Sequence, residues 1–143
     1  MILDERNEFA GGVAIPAAGT NLVGDVIYLG DVHRDIGNGQ PIYWYGTVSP
    51  DVAGGTSIQL QLITDDNAAM ASPTVVATGA VVPLAQLQEN PMVVMASLPL
   101  EGVAYEEYLG IRAVVVGTFS AGTLTSGLTL DPHGWRAYPE GNN

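Results

Sequence analysis

An all-β fold, an antiparallel two-sheet jelly-roll sandwich of about eight strands in a single domain, is predicted by three observations. The chain has 143 residues, and its 18 glycines and 9 prolines are spread between short apolar runs, so turns recur along its whole length. Residues 57–62, SIQLQL, alternate strictly, which is the period-2 pattern of a half-buried antiparallel strand. No segment carries the 3.6-residue apolar period of a convincing amphipathic helix. A chain of this length suits one core that buries about two-thirds of the unfolded surface.

Taken in order, the first strand is a short piece near Val13, followed by a candidate at residues 25–29. Gly37-Asn38-Gly39 could expose amides to an anion, but phosphate-binding loops of that kind lead directly into a helix. Here Pro41 and the bulky run from Ile42 to Val48 read as a strand, so the glycine pair is a turn. In the strand at 57–62, Ile58, Leu60 and Leu62 share the inward face. Residues 74–82 and 92–98 supply two more candidates, separated by Leu84-Ala85-Gln86-Leu87, which after Pro83 forms one helical turn at most. Residues 108–116 place Leu109, Ile111, Ala113 and Val115 on one side. Residues 123–130 place Leu124, Leu128 and Leu130 inward and Thr123, Thr125 and Thr129 outward. Turn signals at 51–55, 65–67 and 120–122 separate these strands at spacings typical of a sandwich or barrel. The expected layout is an N-terminal arm at 1–12, the jelly-roll domain at 13–131 and a C-terminal tail at 132–143.

Fifteen acidic residues oppose only four basic ones, Arg6, Arg34, Arg112 and Arg136, giving a net charge of -11 with no lysine. Nucleic-acid binding needs clustered cations to displace counterions from phosphates, so direct contact with nucleic acid is not expected. A basic partner would instead be attracted over about 8 to 10 Å, the screening length at ordinary salt. With no cysteine, neither disulfides nor thiolate metal sites are available. Charges at Asp4, Glu5, Arg6 and Glu8 interrupt any signal-peptide core, and no apolar run approaches the ~18 residues of a membrane span. A soluble protein without membrane contact is expected.

Catalytic and metal constellations are missing. His33 and His133 are far apart in the chain and no His-x-His pair exists. No serine sits in a Gly-x-Ser-x-Gly elbow. The acid pairs Asp65-Asp66 and Glu106-Glu107 read as solvated turn acids, because adjacent strand residues point to opposite faces. Asp31, Asp35 and Asn38 offer hard oxygens in one loop, but their spacing fits no EF-hand. No catalytic residue, cofactor or metal is therefore expected.

Aromatic residues leave two openings. Tyr43 and Tyr45 share one strand face while Trp44 joins Ile42 on the other. Core packing of one set and surface packing of the other accounts for both, although exposed rings there would offer a sugar-stacking face. Trp135 and Tyr138 lie in a Gly- and Pro-rich tail, where they anchor it on the sandwich or on a neighbour. With Met1, Ile2, Leu3 and Phe9 of the first arm they are the interface candidates.

The stretches MILDERNEF (1–9), RDIGNGQPIY (34–43), LQLITDDNAAMASPT (60–74), VPLAQL (82–87) and VGTFSAGTLTSGLTLD (116–131) together resemble the jelly-roll capsid cement, or decoration, proteins of tailed double-stranded-DNA bacteriophages. The resemblance runs from residue 1 to about 131. It implies a structural protein on the outer surface of the phage head that clamps neighbouring major capsid protein subunits and stabilises the expanded shell. It also implies homo-oligomers, with a dimer favoured by the frequency of self-complementary two-fold interfaces and a trimer possible on a lattice with three-fold positions. No catalytic residues accompany it. A carbohydrate-binding or adhesive β-sandwich module is the alternative.

Overall fold

The alternation read from residues 57–62 continues to Asp65 in the structure, a computed structural model that describes residues 5–30, 41–98 and 105–130. A short 3-10 turn at Glu5–Asn7 precedes β1 (Glu8–Ala14) and β2 (Gly19–Tyr28). Then follow β3 (Tyr43–Val48), β4 (Ala53–Gly54), β5 (Ser57–Asp65), β6 (Thr74–Thr78) and β7 (Val82–Pro83). A helix α1 (Leu84–Glu89) leads to β8 (Met92–Ser97), β9 (Tyr108–Val116), β10 (Phe119–Ala121) and β11 (Thr123–Thr129).

The eight longer strands form two antiparallel sheets in the orders β1-β11-β3-β8 and β2-β9-β5-β6, with β7 extending the second along β5. The chain passes from one sheet to the other after β1, β2, β3, β6, β8 and β9, and only β5 to β6 stays within a sheet. This is the path of a jelly roll, two interlocked Greek keys wound into one single-domain sandwich. A ribbon of β4 and β10 stands beside the two sheets.

Core positions follow the pleat. Ile58, Leu60 and Leu62 of β5 and Leu109, Ile111 and Ala113 of β9 are all 0 % exposed. They face Trp44, Leu124 and Val94 of the other sheet, all within one contiguous cluster. Each such leucine, isoleucine or valine side chain contributes about 1.5–3 kcal/mol by leaving water. One polar relay sits inside: the Trp44 indole Nε1–H donates to Ser126 Oγ at 3.1 Å, and that hydroxyl donates to the Tyr45 carbonyl at 2.6 Å.

Several elements depart from the sequence expectation. Residues 8–12 belong to the sandwich, because β1 begins at Glu8 and pairs with β11; the expected arm boundary at residue 12 falls inside a strand. β2 begins at Gly19, six residues before its predicted start. It is a sheet edge paired only with β9, and an edge tolerates Asn21 and a glycine bulge that would disrupt a central strand. At that bulge Gly24 has φ +65°, and a Cβ there would stand 1.9 Å from the Phe9 carbonyl oxygen, so glycine is what lets β1 and β2 close one side of the sandwich. The single strand expected at 74–82 is two, since β6 and β7 pair with separate stretches of β5.

The helix α1 has six residues where one turn was the limit expected. Tertiary bonds hold it: Leu84 N–H donates to the Thr56 carbonyl at 3.0 Å, Gln88 Nε2 donates to the Val52 carbonyl at 3.2 Å, and Leu87 is 0 % exposed. Leu130, expected inward, lies past the end of β11 and is exposed.

Candidate interaction surface

Of the expected interface residues, Phe9 is the one that the described residues include, and it is a core residue. A register shift between Glu8 and Ala10 turns two consecutive side chains inward, leaving Phe9 1 % and Ala10 2 % exposed. Met1, Ile2, Leu3, Trp135 and Tyr138 lie outside the described residues, as do His33, His133, the Gly37-Asn38-Gly39 turn, and Asp31, Asp35 and Asn38.

The aromatic run offers no stacking platform. Trp44 packs in the core, and Tyr45 on the opposite face is also buried, so both sets hold a buried ring where one was expected at a surface or interface; the Tyr45 hydroxyl occupies the space above Gly127 that any larger residue would fill. Burial, with a smaller effect of the nearby Glu8 carboxylate, raises the Tyr45 phenol above its ordinary pKa. Only Tyr43 retains partial exposure.

Asp65 is not a solvated turn acid. It is buried at the end of β5, and its carboxylate accepts amide N–H bonds from Ser72 at 2.9 Å and Asn67 at 3.3 Å. The Ser72 amide is the main reason its carboxyl is held below the usual range, with Asp66 and Asn67 assisting and burial opposing. Carboxylate oxygens of Asp65, Asp66 and Glu106 come within 4.8 Å of one another because Asp66 lies in a bend, outside the strand pleat that separates neighbours.

By gripping both ends of the 66–73 loop, Asp65 determines what that loop does. Met70, at φ 51°, folds back with its N–H donating to the Asn67 carbonyl at 2.9 Å, and its side chain lies on the outer face of the β2-β9-β5-β6 sheet. It rests above Gly110, where an added Cβ would meet the Met70 methyl at 3.0 Å and Val26 at 3.2 Å. Met70 and the outward-facing Ile63 are 8 % and 1 % exposed, which makes a second, small apolar cluster outside the main core.

Beside Met70 opens a cavity of about 190 Å³ lined by Thr20, Leu22, Ile63, Met70, Pro73 and Arg112. Register places Leu22, Arg112 and Gln61 side by side across β2, β9 and β5. Arg112 Nε–H donates to Gln61 Oε1 at 2.6 Å, and this is the guanidinium's one partner among the described residues. Around the cavity the same face exposes Leu22, Val75 and Val116, and at one end Tyr28, whose ring packs 5.2 Å from that of Tyr108. A second cavity of about 160 Å³, lined by Asn7, Ile42, Leu128, Thr129 and Leu130, opens beside the end of β11.

Arg112, Leu22 and Met70 did not stand out in the sequence. The available signal was the outward row of β9, where Gly110, Arg112, Val114 and Val116 alternate with the core residues and place one cation among apolar or small neighbours. Met70 carried no such signal, because a loop that folds back over a sheet has no period.

The fold and this surface define a single-domain jelly-roll sandwich whose outer sheet face carries a cavity beside an arginine, with exposed apolar side chains near it. A sequence model of the Bbp16 family matches residues 9–128, and the chain belongs to that family. The family's name suggests phage-related proteins. No curated protein matches the chain.

Proposed function

We infer that this chain is a capsid cement protein of a tailed bacteriophage, bound to the outside of the head, where it clamps neighbouring major capsid protein subunits and stabilises the expanded shell. The observation that carries this reading is the Bbp16 family match over residues 9–128, which spans nearly the whole sandwich. The jelly-roll path and the resemblance of the 60–74 and 116–131 stretches to cement proteins support it. A net charge of -11 suits an exterior position away from the packaged genome. In this reading the protein acts as a homo-oligomer, a dimer in preference to a trimer, and its role is structural, without catalysis or a cofactor. Weak contacts multiplied over a repeating lattice give firm retention.

The carbohydrate-binding alternative loses its support, because Trp44 and Tyr45 are buried and cannot stack on a sugar. The test is retention: purified chain is added to expanded capsids lacking it, and occupancy is measured after sedimentation. Saturable binding to expanded capsids is expected. Sedimentation with no retained chain would contradict the reading. Because β1 begins at Glu8, a variant lacking residues 1–4 asks whether the segment preceding the described chain contributes, without cutting into the sandwich.

A further inference from the structure

We propose that the Arg112 cavity is a receptor for one glutamate side chain presented by a protein partner. Arg112 is one of only four cations in a chain of 15 acidic residues, yet it lines a cavity of mixed polar and apolar wall with no carboxylate of the described residues paired to it. Its position is fixed, since Nε–H is held by Gln61 Oε1 at 2.6 Å. A guanidinium has five N–H donors; one is used among the described residues, and the remaining fork matches the two oxygens of a carboxylate.

The walls choose among anions. Leu22, Ile63, Met70 and Pro73 bring apolar side chains to one part of the wall and Thr20 and Arg112 polar ones to the rest, so an anion carrying an apolar stem meets both, whereas sulfate or phosphate uses only the polar part. A carboxylate on a methylene stem places its oxygens on Arg112 and its carbons on Leu22 and Met70. Size agrees: the cavity is about 190 Å³, and one of about 150 Å³ admits a benzene molecule. A macromolecular source fits better than a free acid because exposed apolar side chains stand on the same sheet face as the cavity. Leu22, Tyr28, Val75 and Val116, between 39 and 55 % exposed, surround it on the outward side of one sheet, a rim that an apposed protein surface would cover. The inference stands whether or not that partner is a capsid shell.

The test uses the full isotope-labelled chain and nuclear magnetic resonance of the Arg112 Nε–H and the methyls of Leu22, Ile63 and Met70. The probes are N-acetyl-glutamate amide, N-acetyl-glutamine amide and sulfate, at constant ionic strength. Saturable shifts are expected with the glutamate probe in the millimolar range, at least tenfold weaker with the glutamine probe, and lost in Arg112→Gln. Leu22→Glu, at an exposed position, sets a carboxylate at the cavity mouth and is expected to abolish binding while leaving the fold intact. No saturable shift with the glutamate probe, an equal response to sulfate or to the glutamine probe, or unchanged binding in a folded Leu22→Glu variant would each overturn the proposal.

Discussion

Replacing Ser126 by alanine removes one oxygen atom from the middle of the sandwich and tests how the core is held. The hydroxyl accepts the Trp44 indole N–H at 3.1 Å and donates to the Tyr45 carbonyl at 2.6 Å, with Ser126 and Trp44 both 0 % exposed. Each bond contributes about 0.5–1.5 kcal/mol net, and a buried N–H left without an acceptor costs about 1–3 kcal/mol. A loss of about 2–3 kcal/mol is expected, which at this chain length lowers Tm by about 8–12 °C. Urea unfolding followed by far-ultraviolet circular dichroism, at one chain concentration so that any assembly contributes equally, supplies the measurement. The same substitution in a Trp44→Phe background strands no indole N–H and is expected to cost at least ~1 kcal/mol less. A cost below about 0.5 kcal/mol, or equal costs in the two backgrounds, would refute the relay.

Two further outcomes concern pH. Asp65 has a depressed pKa in the folded chain, so its contribution is complete above the unfolded carboxyl value and disappears as pH falls through the folded one, below about pH 4. Asp65→Asn should flatten the acid limb of stability and increase hydrogen exchange at the Ser72 amide at neutral pH; unchanged exchange would show that the carboxylate does not hold the 66–73 loop. Burial pushes the Tyr105 phenol up to about 12. Its stabilising effect is full below the ordinary tyrosine value of about 10 and lost as pH rises from there to about 12, because the unfolded chain ionises first. Tyr105→Phe should therefore lose less stability than the parent chain across that window, and identical alkaline profiles would contradict the assignment.

Periodicity made the central strands legible. In β5 and β9 the inward residues Ile58, Leu60, Leu62, Leu109, Ile111 and Ala113 are continuous in sequence pattern and continuous in the core, because each strand is paired on both edges and one face must stay dry. The edges were harder to read. β2 and β1 bend through Gly24 and a register shift at Phe9, and a bulge breaks the alternation that a period-2 reading needs. Phe9 looked like an exposed anchor because it follows a charged stretch, whereas its burial depends on backbone twist. α1 was underestimated because partners distant in sequence, Thr56 and Val52, hold a helix too short to stand alone. The Arg112 cavity needs three strands in register and a loop folded back over them, so no local stretch of sequence could announce it.

The central claim, that this jelly roll sits on the outside of a phage head, is tested most directly by a three-dimensional reconstruction of the virion that carries it. The expected result is density for the two-sheet sandwich repeated across the outer shell, contacting more than one capsid subunit per copy. Finding the chain on the genome side of the shell, or absent from the finished particle, would contradict the account.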